Sequence, residues 1–82
     1  MTNLKIRIYK IGETAPRTTV TIPGAVLKIA SRLIPRQATE ILQEKGIDIK
    51  EIVQLSNNPD VRGTLVDVED HDKNEKIVIA LE

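Results

Sequence analysis

The densest group of chemistry-bearing side chains is the acidic stretch Asp67, Glu69, Asp70, His71 and Asp72. Asp70, Asp72 and Asn74 have the alternate spacing of the first ligands in a calcium loop, where hard oxygen donors surround the ion. The rest of that loop is missing. Glu75 stands where the sharp turn needs glycine, and Leu81 where the bidentate glutamate belongs. His71 is the only histidine and there is no cysteine, so a zinc site lacks ligands. The stretch reads as a solvated hairpin end, with no metal. A nucleophilic triad fares no better: Ser31 and Ser56 lie in or beside helical segments, away from the strand–turn–helix elbow that presents a reactive hydroxyl. Gly12, Gly24, Gly46 and Gly63 are isolated, each with a turn or cap to serve, and form no phosphate loop. No cofactor is implied, and the chain reads as a non-enzyme.

A second constellation is basic. Lys28, Arg32 and Arg36 stand four apart, a spacing that aligns charges along a phosphate backbone. Pro35 interrupts the helix they would share, and no helix-turn-helix pair surrounds them. A solvated helix face is the ordinary reading; nucleic-acid binding by the basic N-terminal half is the alternative. Residues 1–36 carry seven basic groups and one acidic, a net of +6, and residues 37–82 carry five basic and eleven acidic, a net of −6. Such asymmetry marks a nucleic-acid or membrane surface in some proteins, or two halves of one fold whose charges pair.

Size and composition limit what these groups can be built into. The 82 residues fit one domain, residues 1–82, burying about 60–65 % of its unfolded surface, with little room for a deep cleft. The chain has no Phe, Trp or Cys and a single Tyr, so its core is aliphatic, and only Tyr9 offers a platform for base stacking. No apolar run reaches the roughly 18–20 residues that span a bilayer. The expectation is a soluble cytoplasmic protein, or the cytoplasmic part of a larger one.

The elements that position these residues follow from periodicity. Leu4 to Tyr9 alternates with period two, placing Leu4, Ile6 and Ile8 inward; Thr18 to Ile22 repeats the pattern after a Gly12–Pro16 turn. Pro23 suits the first position of a helix, with Thr21 or Ile22 near its N-cap. Val26, Ile29, Ala30, Leu33 and Ile34 then predict an apolar helical stripe, ended by Pro35. Ala38, Ile41 and Leu42 predict a second helix closed by Gly46. Asp48 with Glu51 predicts a capping box on a third, with Ile49, Ile52 and Val53 buried. Gly63 to Asp70 and Glu75 to Leu81 read as a second hairpin, with Thr64, Val66 and Val68 on one face of its first strand and Leu65, Asp67 and Glu69 on the other. The fold class is α+β, ββ-ααα-ββ: a four-stranded, mostly antiparallel sheet with three short helices on one face. Its other face carries Tyr9, Leu65, Val78 and Ala80 among charges. That mixture fits either packing against a second copy or partner, or ordinary scattered surface residues.

The segments LKIRIYK, TVTIPGAVLKIASRLIP, GIDIKEIVQL and GTLVDVEDHDKNEKIVIALE together resemble a domain of bacterial YvlB/LiaX-type proteins over nearly the whole chain. In those proteins the domain follows a short SHOCT-like helical segment; this sequence opens on the first strand, and the expectation is that the segment is absent. Any role they draw from that segment is not expected to carry over. Some members are tied to sensing of cell-envelope stress. The resemblance therefore implies an interaction or regulatory module with a protein partner, and supplies no active site. Taken with the mixed sheet face, it leads to the expectation of a homo-oligomer associating through that face or a sheet edge.

Overall fold

The computed structural model describes residues 2–82. Four strands form one sheet: β1 (Leu4–Lys10), β2 (Thr18–Ile22), β3 (Gly63–Asp70) and β4 (Glu75–Leu81). Their spatial order is β2-β1-β4-β3, and every neighbouring pair is antiparallel. The two hairpins are thus joined along β1 and β4, leaving β2 and β3 as edges. All helical residues lie between β2 and β3 in sequence, so the chain crosses the sheet from one edge to the other to reach β3. This is the expected ββ-ααα-ββ architecture, with α1 (Ala30–Leu33) reached through a 3₁₀ stretch Gly24–Ile29, then α2 (Arg36–Glu44) and α3 (Ile49–Ser56).

The period-two pattern does what strand geometry requires. Leu4, Ile6 and Ile8 of β1 and Ile77, Ile79 and Leu81 of β4 all point to the helix side and are buried. Ala38, Ile41 and Leu42 of α2 and Ile52 of α3 cover them. Fully burying an isoleucine or leucine stabilises the fold by about 1.5–3 kcal/mol, and these residues supply that term without any aromatic side chain.

α2 and α3 end and begin as their residue types dictate. Gly46 has φ +74°. Its N–H donates to the Gln43 carbonyl, and the Ile47 N–H to that of Leu42, closing α2 in a Schellman motif. The Asp48 carboxylate caps α3 by accepting from the Lys50 N–H at 2.8 Å. That single bond replaces the reciprocal capping box expected with Glu51. Of the expected inward trio, Ile52 is buried while Ile49 and Val53 are only partly so.

Two expectations are corrected. The first helix does not start regularly at Pro23: Pro23 is itself the N-cap, six residues wind as 3₁₀, and Val26 departs from helical geometry (φ −116°, ψ 16°). At 120° per residue Leu27 and Ala30 share a face, and the α-turn from Ala30 adds Ile34 to it. These three are buried, whereas Val26, Ile29 and Leu33 face outward, 36 %, 46 % and 42 % exposed. The second correction concerns β3. Thr64 pairs with Ala80 and Val66 with Ile79, so β3 carries one extra residue, a β-bulge at Leu65. The bulge breaks the alternation, sending Thr64 to the open face and Leu65 to the core side. Among the described residues, no helix is long and apolar enough to cross a membrane.

Candidate interaction surfaces

The open sheet face is built by the outward residues of the two central strands: Lys5, Arg7 and Tyr9 of β1 stand opposite Ala80, Val78 and Lys76 of β4. Its groups are largely committed to one another. The Arg7 guanidinium donates in a fork to both carboxylate oxygens of Glu82, at 2.7 and 2.9 Å. This bond holds the Glu82 carboxyl below, and the Arg7 guanidinium above, its usual range. Position 82 is four residues beyond Val78, Arg7's partner, or about 14 Å along the strand. The two side chains therefore meet above Ala80, which is only 4 % exposed although it faces away from the helices. The Lys76 ammonium lies 5.8 Å from the Tyr9 ring centroid and 3.8 Å from Asp67. Of the four residues assigned to this surface, Tyr9 and Val78 are half-buried on it, Ala80 is covered, and Leu65 is on the opposite side because of the bulge.

The basic row does not form on one helix. Lys28 lies in the 3₁₀ stretch, Arg32 in α1 and Arg36 at the start of α2, beyond the break at Pro35. Arg36 is bonded to Glu40 at 3.2 Å.

The acidic stretch closes the β3–β4 turn. One Asp70 oxygen accepts from the Asp72 and Lys73 N–H groups at 3.0 and 3.2 Å. The Lys73 N–H contributes most to holding the Asp70 carboxyl below the usual carboxylate range. His71 is exposed and stands 3.4 Å from Glu69. Among the described residues, no three histidine or carboxylate side chains come together as metal ligands.

What periodicity did not reveal lies on the helix layer. The exposed large aliphatic residues are Val26, Ile29, Leu33 and Leu55, all on helical segments. The first three follow one another at i, i+3 and i+7, interspersed in sequence with Lys28 and Arg32. Leu55 belongs instead to a groove of about 290 Å³ between α3 and β3, into which Leu65 also projects. The i, i+3 spacing of Leu27 and Ala30 immediately after Pro23-Gly24 is the signal from which the 3₁₀ winding could have been read.

With this geometry in view, comparison with known families is decisive. The family described as YvlB-like protein, C-terminal domain, matches residues 2–80. The chain belongs to that family. No curated protein and no solved structure matches it. In this YvlB-like domain the open sheet face has mostly satisfied itself, and the aliphatic surface available to another molecule is on the helix side.

Proposed function

We propose that this YvlB-like domain is a non-enzymatic protein-interaction module that self-associates through its helix layer. The observation that carries the reading is the row Val26, Ile29 and Leu33, three aliphatic side chains left between 36 % and 46 % exposed beside Lys28 and Arg32. Water-exposed aliphatic clusters with a charged border are the composition of association surfaces. A second copy supplies both what the row needs, an identical aliphatic surface, and what its basic border needs, the −6 of residues 37–82. The resemblance to YvlB/LiaX-type proteins supports a regulatory setting, sensing of cell-envelope stress. Non-enzymatic use is supported by the ordinary roles taken by the candidate catalytic groups: a turn for Asp70, a surface pair for His71, and a carbonyl of its own helix for Ser56.

Sedimentation at tens of micromolar tests this. The expected result is a dimer or larger species that dissociates in an Ile29→Glu, Leu33→Glu double variant and persists in Val78→Glu. A monomer at every concentration overturns the reading, as does a loss of association caused by Val78→Glu alone.

A further inference from the structure

We infer that the groove between β3 and α3 binds an extended polypeptide segment of alternating aliphatic and basic residues, added to the sheet as a fifth strand. β3 is an edge strand: it pairs with β4 only, and its main chain makes no hydrogen bond outside that ladder among the described residues. An edge strand presents half of its N–H and C=O groups outward, where an added strand can bond to them. Beyond the bulge, Val66 to Asp70 pairs regularly with β4 over five residues, a length of about 17 Å that matches a segment of about five residues.

The side chains beside this edge define the occupant. The groove is floored by aliphatic groups, with Ile52 buried at its base, Leu55 44 % exposed and Leu65 turned into it by the bulge. Regular alternation would have put Leu65 on the open face, so the bulge itself creates one wall. The rim is acidic. Asp48 and Glu51 line the groove on the helix side and no lysine or arginine does, while Asp67 and Glu69, opposite Val78 and Lys76, carry their carboxylates on the open side of the same edge. Asp48 and Glu51 form no ion pair among the described residues, and Asp67 meets Lys76 only at 3.8 Å. An extended chain alternates its side chains with period two, so aliphatic residues would enter the groove while the intervening lysines or arginines turn to the open side and meet Asp67 and Glu69. Asp67 and Glu69 also disfavour a second copy docked β3 to β3, where carboxylates would face carboxylates across the new pair. β2, the other edge, presents exposed threonines at 18, 19 and 21 instead.

This inference uses a surface distinct from the self-association row, and peptide binding by a monomeric domain would separate the two. The test is titration of the isotope-labelled chain with capped hexapeptides, followed by amide chemical shifts. A Val-Lys-Val-Lys-Val-Lys probe is expected to move amides of Val66 to Asp70 and of α3. Its affinity should fall about tenfold in a Glu51→Lys, Asp67→Lys double variant, and it should fall by a similar factor when every valine of the probe is replaced by lysine. Circular dichroism checks that the variant keeps its fold. Should that variant unfold, Leu55→Ser is expected to weaken binding by a comparable factor. The inference is overturned if Val-Glu-Val-Glu-Val-Glu binds equally well, if the shifts map to β2, or if no shifts appear at millimolar peptide.

Discussion

The two sides of this molecule use their outward residues in opposite ways. On the open sheet face, Arg7 is locked to Glu82 and Lys76 lies between Tyr9 and Asp67, so the few apolar atoms there are screened by charged side chains. On the helix layer, Val26, Ile29, Leu33 and Leu55 remain 36–46 % exposed despite the charged residues near them. A strand holds its side chains in fixed rows, where diagonal and direct cross-strand neighbours find each other. The short helical segments here change winding every few residues. Their apolar residues therefore do not all fall on one face, and some are left outside. The contrast teaches that an open sheet face can be the better screened side of a two-layer domain.

The largest expected effect separates the two faces of a single strand. Ile79→Ala, at a fully buried site on β4, should cost about 2–5 kcal/mol in urea denaturation, whereas its neighbour Val78→Ala should cost about 1 kcal/mol or less. Comparable losses at both sites would mean that the outer face is packed too, and the comparison would collapse. Next comes Gly46→Ala. An added Cβ meets nothing within 4 Å, so the cost is backbone strain at φ +74° alone, about 1 kcal/mol by the same measurement. A much larger loss would show that the helix layer lacks the space beside Gly46 described above.

Ile29→Ser and Leu33→Ser sharpen the contrast differently. Each should change unfolding free energy by only about 0.5 kcal/mol while weakening association, the signature of a residue placed for contact rather than for the fold.

The smallest effect is on the screened face. Glu82→Gln removes one partner of an exposed pair, and its slight lowering of the thermal midpoint should shrink with added salt. Its pH dependence has a definite sign. The Glu82 carboxyl is held below its usual range, so the pair contributes at pH values above the ordinary carboxylate range and is lost as pH falls through the lowered value. Parent and variant midpoints should therefore converge in acid, and a gap that widens there would refute the assignment.

Much of this was legible in the residues. Strict alternation in Leu4 to Tyr9 and Glu75 to Leu81 fixed which side is core, and Gly46 and Asp48 marked the helix junction correctly, because each effect is local. Two features were not legible. The bulge at Leu65 arises where Gly63 to Val66 must fit the register of β4, a tertiary condition that alternation within β3 cannot express. The outward turn of Val26 and Ile29 comes from 3₁₀ winding over Gly24–Ile29, and the short α-turn that follows carries Leu33 outward after them, where a stripe of period 3.6 was the simpler fit to the same letters. Both misreadings fell on the surfaces now of interest: the first moved Leu65 from the open face to the groove, and the second hid the exposed row.

The strand order has a consequence for how the protein is made. β1 and β4 are the central pair, and their junction is sealed by reciprocal hydrogen bonds between the main chains of Asn3 and Glu82. During synthesis β1 leaves the ribosome with β2 soon to follow and β4, which ends at Leu81, much later. At roughly 5–20 residues per second, the wait between the end of β1 and the end of β4 is about 4–14 s. Throughout that interval Ile6 and Ile8 have no β4 to pair with, and the aliphatic helix residues have only half a sheet to cover. Folding of this domain is therefore expected to be a late, all-at-once event, completed after β4 clears the exit tunnel.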